Sequence, residues 1–339
     1  MTAPGTKASR IPALDFTKGA LVLTMVLYHW INYFFVAQDN RYLRFLTPSF
    51  IFITGFLISN VYISKYGVSD TQLPKRLIQR GLKILCVFVF LNVTRSLLGP
   101  GGSPEQSSAA PWSTRSLIDV YLLGSGVGGG QAKAVAFFIL VPIGYLLILS
   151  ALLVVVSRFY RYAFYAACLF FFLCIIALDW QGVHCANLEL LAIGLLGVIA
   201  GYFPIEHVNA AVRHPYFLAA AYLLYLGAIT LWNVIYPLQI VGVCLSLMII
   251  YLVGQQSDQP GRVNEVVVLL GKYSLFGYIA QIAILQVLRL ESRHMNSEVA
   301  ARGISFVLAF ALTIISVELV HRVRAQSTTV DALYKSVFA

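Results

Sequence analysis

Residues 134–178 read AVAFFILVPIGYLLILSALLVVVSRFYRYAFYAACLFFFLCIIAL, and Arg158 and Arg161 are their only charged side chains. Each flank of that basic turn is an apolar run of about 20 residues, the length an α-helix needs to cross a hydrocarbon core about 30 Å thick. Moving outward in both directions, similar runs recur at about 17–37, 45–64, 82–98, 134–156, 160–178, 187–203, 216–236, 238–254, 265–288 and 303–320. Each is bounded by charge, Gly or Pro. The pattern predicts an all-α, polytopic integral membrane protein with about ten transmembrane helices.

The whole chain agrees with this local reading. Of its 339 residues, 59% are hydrophobic and only 11% charged, against about a quarter charged in a soluble domain. A water-soluble globule of this composition would expose mostly apolar surface, which excludes a cytosolic or secreted protein. The net charge of +10 then belongs to topology rather than to nucleic acid. When the 24 Lys and Arg are sorted into alternate loops, sixteen fall on the side of the two termini and eight on the other. Ten spans with both termini cytoplasmic satisfy the positive-inside rule, and the partner implied is the lipid bilayer.

The opening MTAPGTKASR runs into the first apolar segment without a small-residue cleavage pattern, so that segment reads as an uncleaved span. Residues 1–339 read as a single transmembrane domain whose longest interruption, 99–133, forms an outer-face loop. The GSGVGGG within it lacks the strand before and the Gly-Lys after that a phosphate cradle requires. The five cysteines form no CxxC pair and no disulfide framework, and no metal is expected.

The first span carries the chemistry: Asp15-Phe-Thr-Lys18, then ten residues, then His29. Eleven residues are three turns plus about 20° and about 16 Å of rise, so Lys18 and His29 share one face of the helix. Asp15 lies about 40° to the other side of His29 and about 21 Å below it. An ionisable group at the depth of His29 is costly and faces the bundle interior or a water-filled cavity. It is either a hydrogen-bonded tie to a neighbouring helix or a group that takes up and returns a proton. With Lys18 aligned beneath it, a donor with an anionic head could bind at the cytoplasmic face and present its far end to His29. A second cationic element is LPKRLIQRGLKIL, residues 73–85, where Lys75, Arg76, Arg80 and Lys83 fall at helical spacing and Arg76 and Arg80 are one turn apart. These cations serve either positive-inside anchoring or phosphate binding.

On the outer side, Asp179, Trp180, His184, Asn187 and Glu189, with Asn92 and Arg95 near the outer end of the third span, are candidates to hold an acceptor by hydrogen bonds and stacking or to anchor the interface. Glu318, near the cytoplasmic end of the last span, is expected to pair with a Lys or Arg, either structurally or at the donor entrance.

These residues resemble the acyltransferase-3 family and the broader transmembrane acyltransferase superfamily, which includes glucan succinyltransferases and heparan glucosaminide N-acetyltransferases. The resemblance rests on Leu14-Asp15 followed by Lys18-x10-His29, on FIFITGFLIS at 50–59, and on LGKYSLFGYI at 270–279. The family's Arg is Lys18 here, and the His often found after its Ser–Tyr segment is Gln281. The resemblance implies a membrane O-acyltransferase that takes an acyl group, acetyl first, from cytoplasmic acyl-CoA as co-substrate and places it on a hydroxyl of an extracytoplasmic glycan or glycolipid. It implies His29 as catalytic base or transient acyl carrier, and Ser274 and Tyr278 beside Lys18, Arg76, Arg80 and Lys83 for the donor, with Asp15 and Glu318 supporting. The expected location is a bacterial inner membrane. The alternative is a transporter or flippase of an anionic or lipid-linked sugar, which would use the same polar stripe as a path.

Overall fold

The computed structural model describes residues 11–35, 41–97, 118–124, 137–232, 234–256, 261–292 and 297–338, with the side chains of 95–97 outside that description. All regular structure among the described residues is helical. The helices are α1 Pro12–Phe34, α2 Leu46–Leu57, α3 Gln72–Leu97, α4 Leu140–Ser157, α5 Ala163–Trp180, α6 Ala186–Ala200, α7 Ile205–Ala211, α8 Pro215–Trp232, α9 Tyr236–Gln256, α10 Arg262–Lys272, α11 Ser274–Ser292, α12 Glu298–Gln326 and α13 Thr328–Phe338. After Leu57, α2 widens into a π-helical stretch, Ile58–Ile63, before a last α-turn, Ser64–Tyr66.

Eight helical segments among the described residues are long and apolar enough to cross a membrane, and nine if the bent pair α6 and α7 is one span. This is an all-α polytopic membrane protein. The count is lower than the ten runs in the sequence because α1, a 23-residue helix, is not among the eight. Asp15, Lys18, His29 and Asn32 dilute its apolar character, although its length suffices. Most of the predicted outer loop 99–133 lies outside the described residues.

The chain divides into two compact units, a middle unit from Ile51–Ile205 and a terminal unit from Ser9–Phe50 with Glu206–Ala339. In the middle unit, α3 packs on α4, and α6 packs on α4 and α5. Helix α2 meets α6 at glycines: a methyl group at Gly55 would overlap the Gly194 carbonyl, and one at Gly197 would overlap the Phe52 carbonyl. Small residues at such crossings let backbones approach where no water exists to drive helices together. The Ser59 hydroxyl donates to the Val198 carbonyl at 2.6 Å across the same crossing. The outward face of α5 carries Leu169, Phe170, Leu173 and Ile176, all exposed, as a lipid-facing surface requires.

In the terminal unit, α1 is central and packs against α9, α10, α11 and α12. Pro12 opens it, where a missing N–H costs nothing. Leu21, Val22, Met25 and Val26 are buried, and the Thr17 and Thr24 hydroxyls donate to the Ala13 and Ala20 carbonyls at 2.7 and 2.8 Å, which satisfies them within the helix. Gly19 crosses Gly271 of α10 so closely that a methyl group on either would overlap the other helix's backbone, at Val267 and Asp15 respectively. Helix α13 folds back on α12 through Arg324. Its guanidinium stacks over Tyr334 at 4.0 Å and Tyr273 at 5.2 Å and donates to Asp331 at 2.6 and 3.0 Å.

Candidate active site

The polar stripe of α1 has two ends with different environments. At the first, Lys18 Nζ pairs with Asp15 Oδ1 at 2.6 Å, the side chains being 17% and 6% exposed. One turn of helix brings the two residues together, and the nearby α10 crossing at Gly19 encloses them. Asp15 is thus the ion-pair partner of Lys18.

At the second end, His29 stands against Tyr28, with ring centroids 5.3 Å apart, and against Tyr278 of α11 at 6.1 Å. His29 Nε2 is buried and has no hydrogen-bond partner among the described residues. The tie to a neighbouring helix is therefore missing at this nitrogen. A buried, unpartnered imidazole nitrogen costs free energy wherever no ligand meets it. Of the sequence candidates, the terminal unit brings His29 and Tyr278 together, and it brings Asp15 and Lys18 together. Ser274 is half-buried at the first residue of α11, one position after the buried Tyr273. Tyr273 receives or donates a 3.0 Å hydrogen bond with His321 Nδ1, a contact the sequence did not suggest. Glu318 pairs with Arg322 of its own helix, both side chains well exposed, so its ion pair is local to α12.

The cations of α3 lie in the middle unit. Arg76 and Arg80 are one turn apart, as their spacing requires, and each is stacked on a tyrosine of the α2 extension. Arg76 lies 4.4 Å over the Tyr66 ring and Arg80 5.6 Å over the Tyr62 ring, with a further hydrogen bond to the Tyr62 hydroxyl. Arg76 is exposed, and Arg80 and Lys83 are half-buried. Stacking fixes a guanidinium plane. The tyrosines were not legible as partners, because the π-helical stretch that aims them has no sequence signature.

Among the outer candidates, Trp180 is 92% exposed and Asp179 lies 3.5 Å from His184 Nδ1, both exposed. Asn187 is buried, and its Nδ2 donates to the carbonyls of Val120, Tyr121 and Leu122 at 3.1, 3.1 and 3.4 Å. Its amide nitrogen clasps the segment 118–124. The sequence could not show this, because a buried amide takes whichever carbonyls the fold supplies. Glu189 is half-buried on α6. The Arg95 side chain lies outside the described residues.

A family model described as an acyltransferase domain matches residues 11–318. The chain belongs to the acyltransferase-3 family. That match takes in His29, the α3 cations and the α10–α11 segment, and it makes this chain a membrane acyltransferase. Neither the comparison with curated proteins nor that with solved structures gave a match. Among the described residues of this acyltransferase, no three His, Cys, Asp or Glu side chains gather in a group that could hold a metal ion.

Proposed function

We propose that this acyltransferase moves an acyl group, acetyl first, from cytoplasmic acyl-CoA to a hydroxyl of an extracytoplasmic glycan or glycolipid, in a bacterial inner membrane. The observation that carries the reading is the buried, unpartnered Nε2 of His29, deep in a helix that also holds Lys18. A neutral imidazole with a free lone pair takes the proton of an attacking hydroxyl as a general base. The same nitrogen could carry the acyl group transiently. Lys18, compensated by Asp15, and the stacked Arg76 and Arg80 with Lys83 supply cations for the donor's anionic head. They all fall on the side that positive-inside counting makes cytoplasmic. Trp180, Asp179, Glu189 and Arg95 fall on the opposite side, where the acceptor would arrive.

Sealed proteoliposomes of known orientation test the reading. Acetyl-CoA is expected to support transfer only from the face bearing the termini, and a membrane-impermeant sugar acceptor only from the other face. Purified protein that moves a sugar across the bilayer but neither binds nor consumes acetyl-CoA would overturn the reading in favour of a transporter.

A further inference from the structure

Helix α11 presents Gly277, Gln281 and Leu285 at every fourth residue, one line along its surface. The ends of that line are fixed by packing. A methyl group at Gly277 would lie 3.3 Å from Val22 of α1 and 3.6 Å from Val317 of α12, and Leu285 is fully buried with Val26 and Ala309. As α11 advances from 277 to 285, α12 retreats from 317 to 309. The register places Gln281 level with Thr313, whose hydroxyl donates to the Ala309 carbonyl at 2.7 Å. Gln281 therefore sits between α1 and α12, 0% exposed.

Neither atom of its carboxamide has a hydrogen-bond partner among the described residues. A Leu or Met would fill that site without the desolvation cost of an unpaired amide. One turn earlier on α11 is Tyr278, the ring that stands against His29. The seam between α1 and α11 thus holds two buried, unpartnered polar groups. One is an imidazole nitrogen able to accept a proton, and the other is an amide able to donate a hydrogen bond.

We propose that Gln281 is a catalytic residue whose Nε2–H donates to the carbonyl oxygen of the acyl group being transferred. The role rests on the acyl-transfer reading above. The acceptor's hydroxyl oxygen attacks the thioester carbonyl carbon while its proton passes to His29 Nε2. The carbonyl π pair moves onto oxygen, and Gln281 holds the resulting oxyanion. Collapse restores the C=O bond and expels the sulfur, which takes the proton from the imidazolium and leaves as a thiol, so an ester and a thiol replace an alcohol and a thioester. A preorganised amide N–H at a developing oxyanion is worth about 10²–10³ in kcat.

The test compares wild-type protein with Gln281→Met, which keeps length and loses the donor, Gln281→Glu, which replaces the donor by an acceptor, and Gln281→His, which restores an N–H. Steady-state transfer from acetyl-CoA to a sugar acceptor and thermal unfolding in detergent are measured for all four. The Met and Glu variants are expected to lose about 100-fold or more in kcat, with the KM for acetyl-CoA held within about threefold. The His variant is expected to recover at least about tenfold over Met, and Met is expected to melt no lower than wild type. Should Met fail to fold, Gln281→Asn, which keeps the amide but withdraws it by one methylene, decides the matter: a large loss of kcat at wild-type melting supports the role, and retained kcat overturns it. A Met variant that transfers at the wild-type rate, or activities that track melting temperature rather than the presence of a donor, would overturn the role while leaving the acyl-transfer reading intact. Wild-type protein that transfers nothing from acetyl-CoA would overturn that reading itself, and this role with it.

Discussion

Lys18 and His29 share a face of α1, yet the fold treats them in opposite ways. Lys18 has Asp15 within 2.6 Å, whereas His29 Nε2 is buried with no partner among the described residues. A paired charge holds its place in both ground and transition states, which suits binding and stability. An unpartnered nitrogen can meet a group that arrives with the reaction, the role proposed above for His29. The difference teaches where along one helix to look for chemistry and where for architecture.

The sharpest way to break the comparison is His29→Ala. Acyl transfer should fall by about 10²–10⁴-fold, the range of a lost general base, while expression and melting in detergent stay near wild type. Full activity at normal expression would make His29 architectural after all. Asp15→Ala should do the reverse and act first on stability. Leaving Lys18 uncompensated in a mostly buried site is expected to cost about 3 kcal/mol, the low end for breaking a buried pair. Thermal unfolding of Asp15→Ala, Lys18→Met and the double variant checks this, and the double variant should be more stable than Asp15→Ala alone. Melting of all three at the wild-type temperature would show that the pair contributes nothing.

Arg76→Ala with Arg80→Ala extends the contrast to the middle unit. Two partly exposed cationic contacts together are worth about 1.4 kcal/mol, so the KM for acetyl-CoA should rise about tenfold with kcat little changed. An unchanged KM would return both arginines to lipid headgroups and topology. The smallest effect is expected at Asp331, whose carboxyl is held below its usual range by hydrogen bonds from Lys335 and Arg324. A lowered folded-state pKa means that the pairing stabilises α13 at neutral pH and loses that contribution as pH falls through the lowered value. The protection factors of α13 amides, with the intrinsic pH dependence of exchange divided out, should therefore fall on acidification in wild type, and Asp331→Asn should show low protection at every pH.

Much of this was legible in the sequence because bilayer physics is severe. A run such as 140–157 has one viable conformation in hydrocarbon, and the Lys18-x10-His29 spacing fixes a shared helical face whatever surrounds it. What escaped depends on partners that composition does not name. The polar residues proposed to give α1 its chemistry also remove it from the helices apolar enough to span, so a hydropathy count and a functional reading of the same segment diverge. Asn187 reads equally well as a sugar ligand or as the clasp on residues 118–124, and only the fold chooses. Gln281 was visible as a departure from the family pattern, but its burial without partners is a property of three helices meeting.

The π-helical stretch at Ile58–Ile63 has a consequence for how this chain tolerates length changes. A π turn holds one residue more than the α turn it replaces, and the register downstream is advanced accordingly. Tyr62 and Tyr66, four apart, meet Arg80 and Arg76, four apart in the opposite sense. Deleting a single residue between 58 and 61 would let the wide turn close to regular α geometry and leave Tyr62 and Tyr66 on their face, whereas deleting one from the regular turns between 52 and 57 would turn both by about 100°. Both arginines would then lose their stacking platforms with no arginine or tyrosine altered. In this family member, an indel in the enclosed helix α2 would act as a mutation of the arginine cluster.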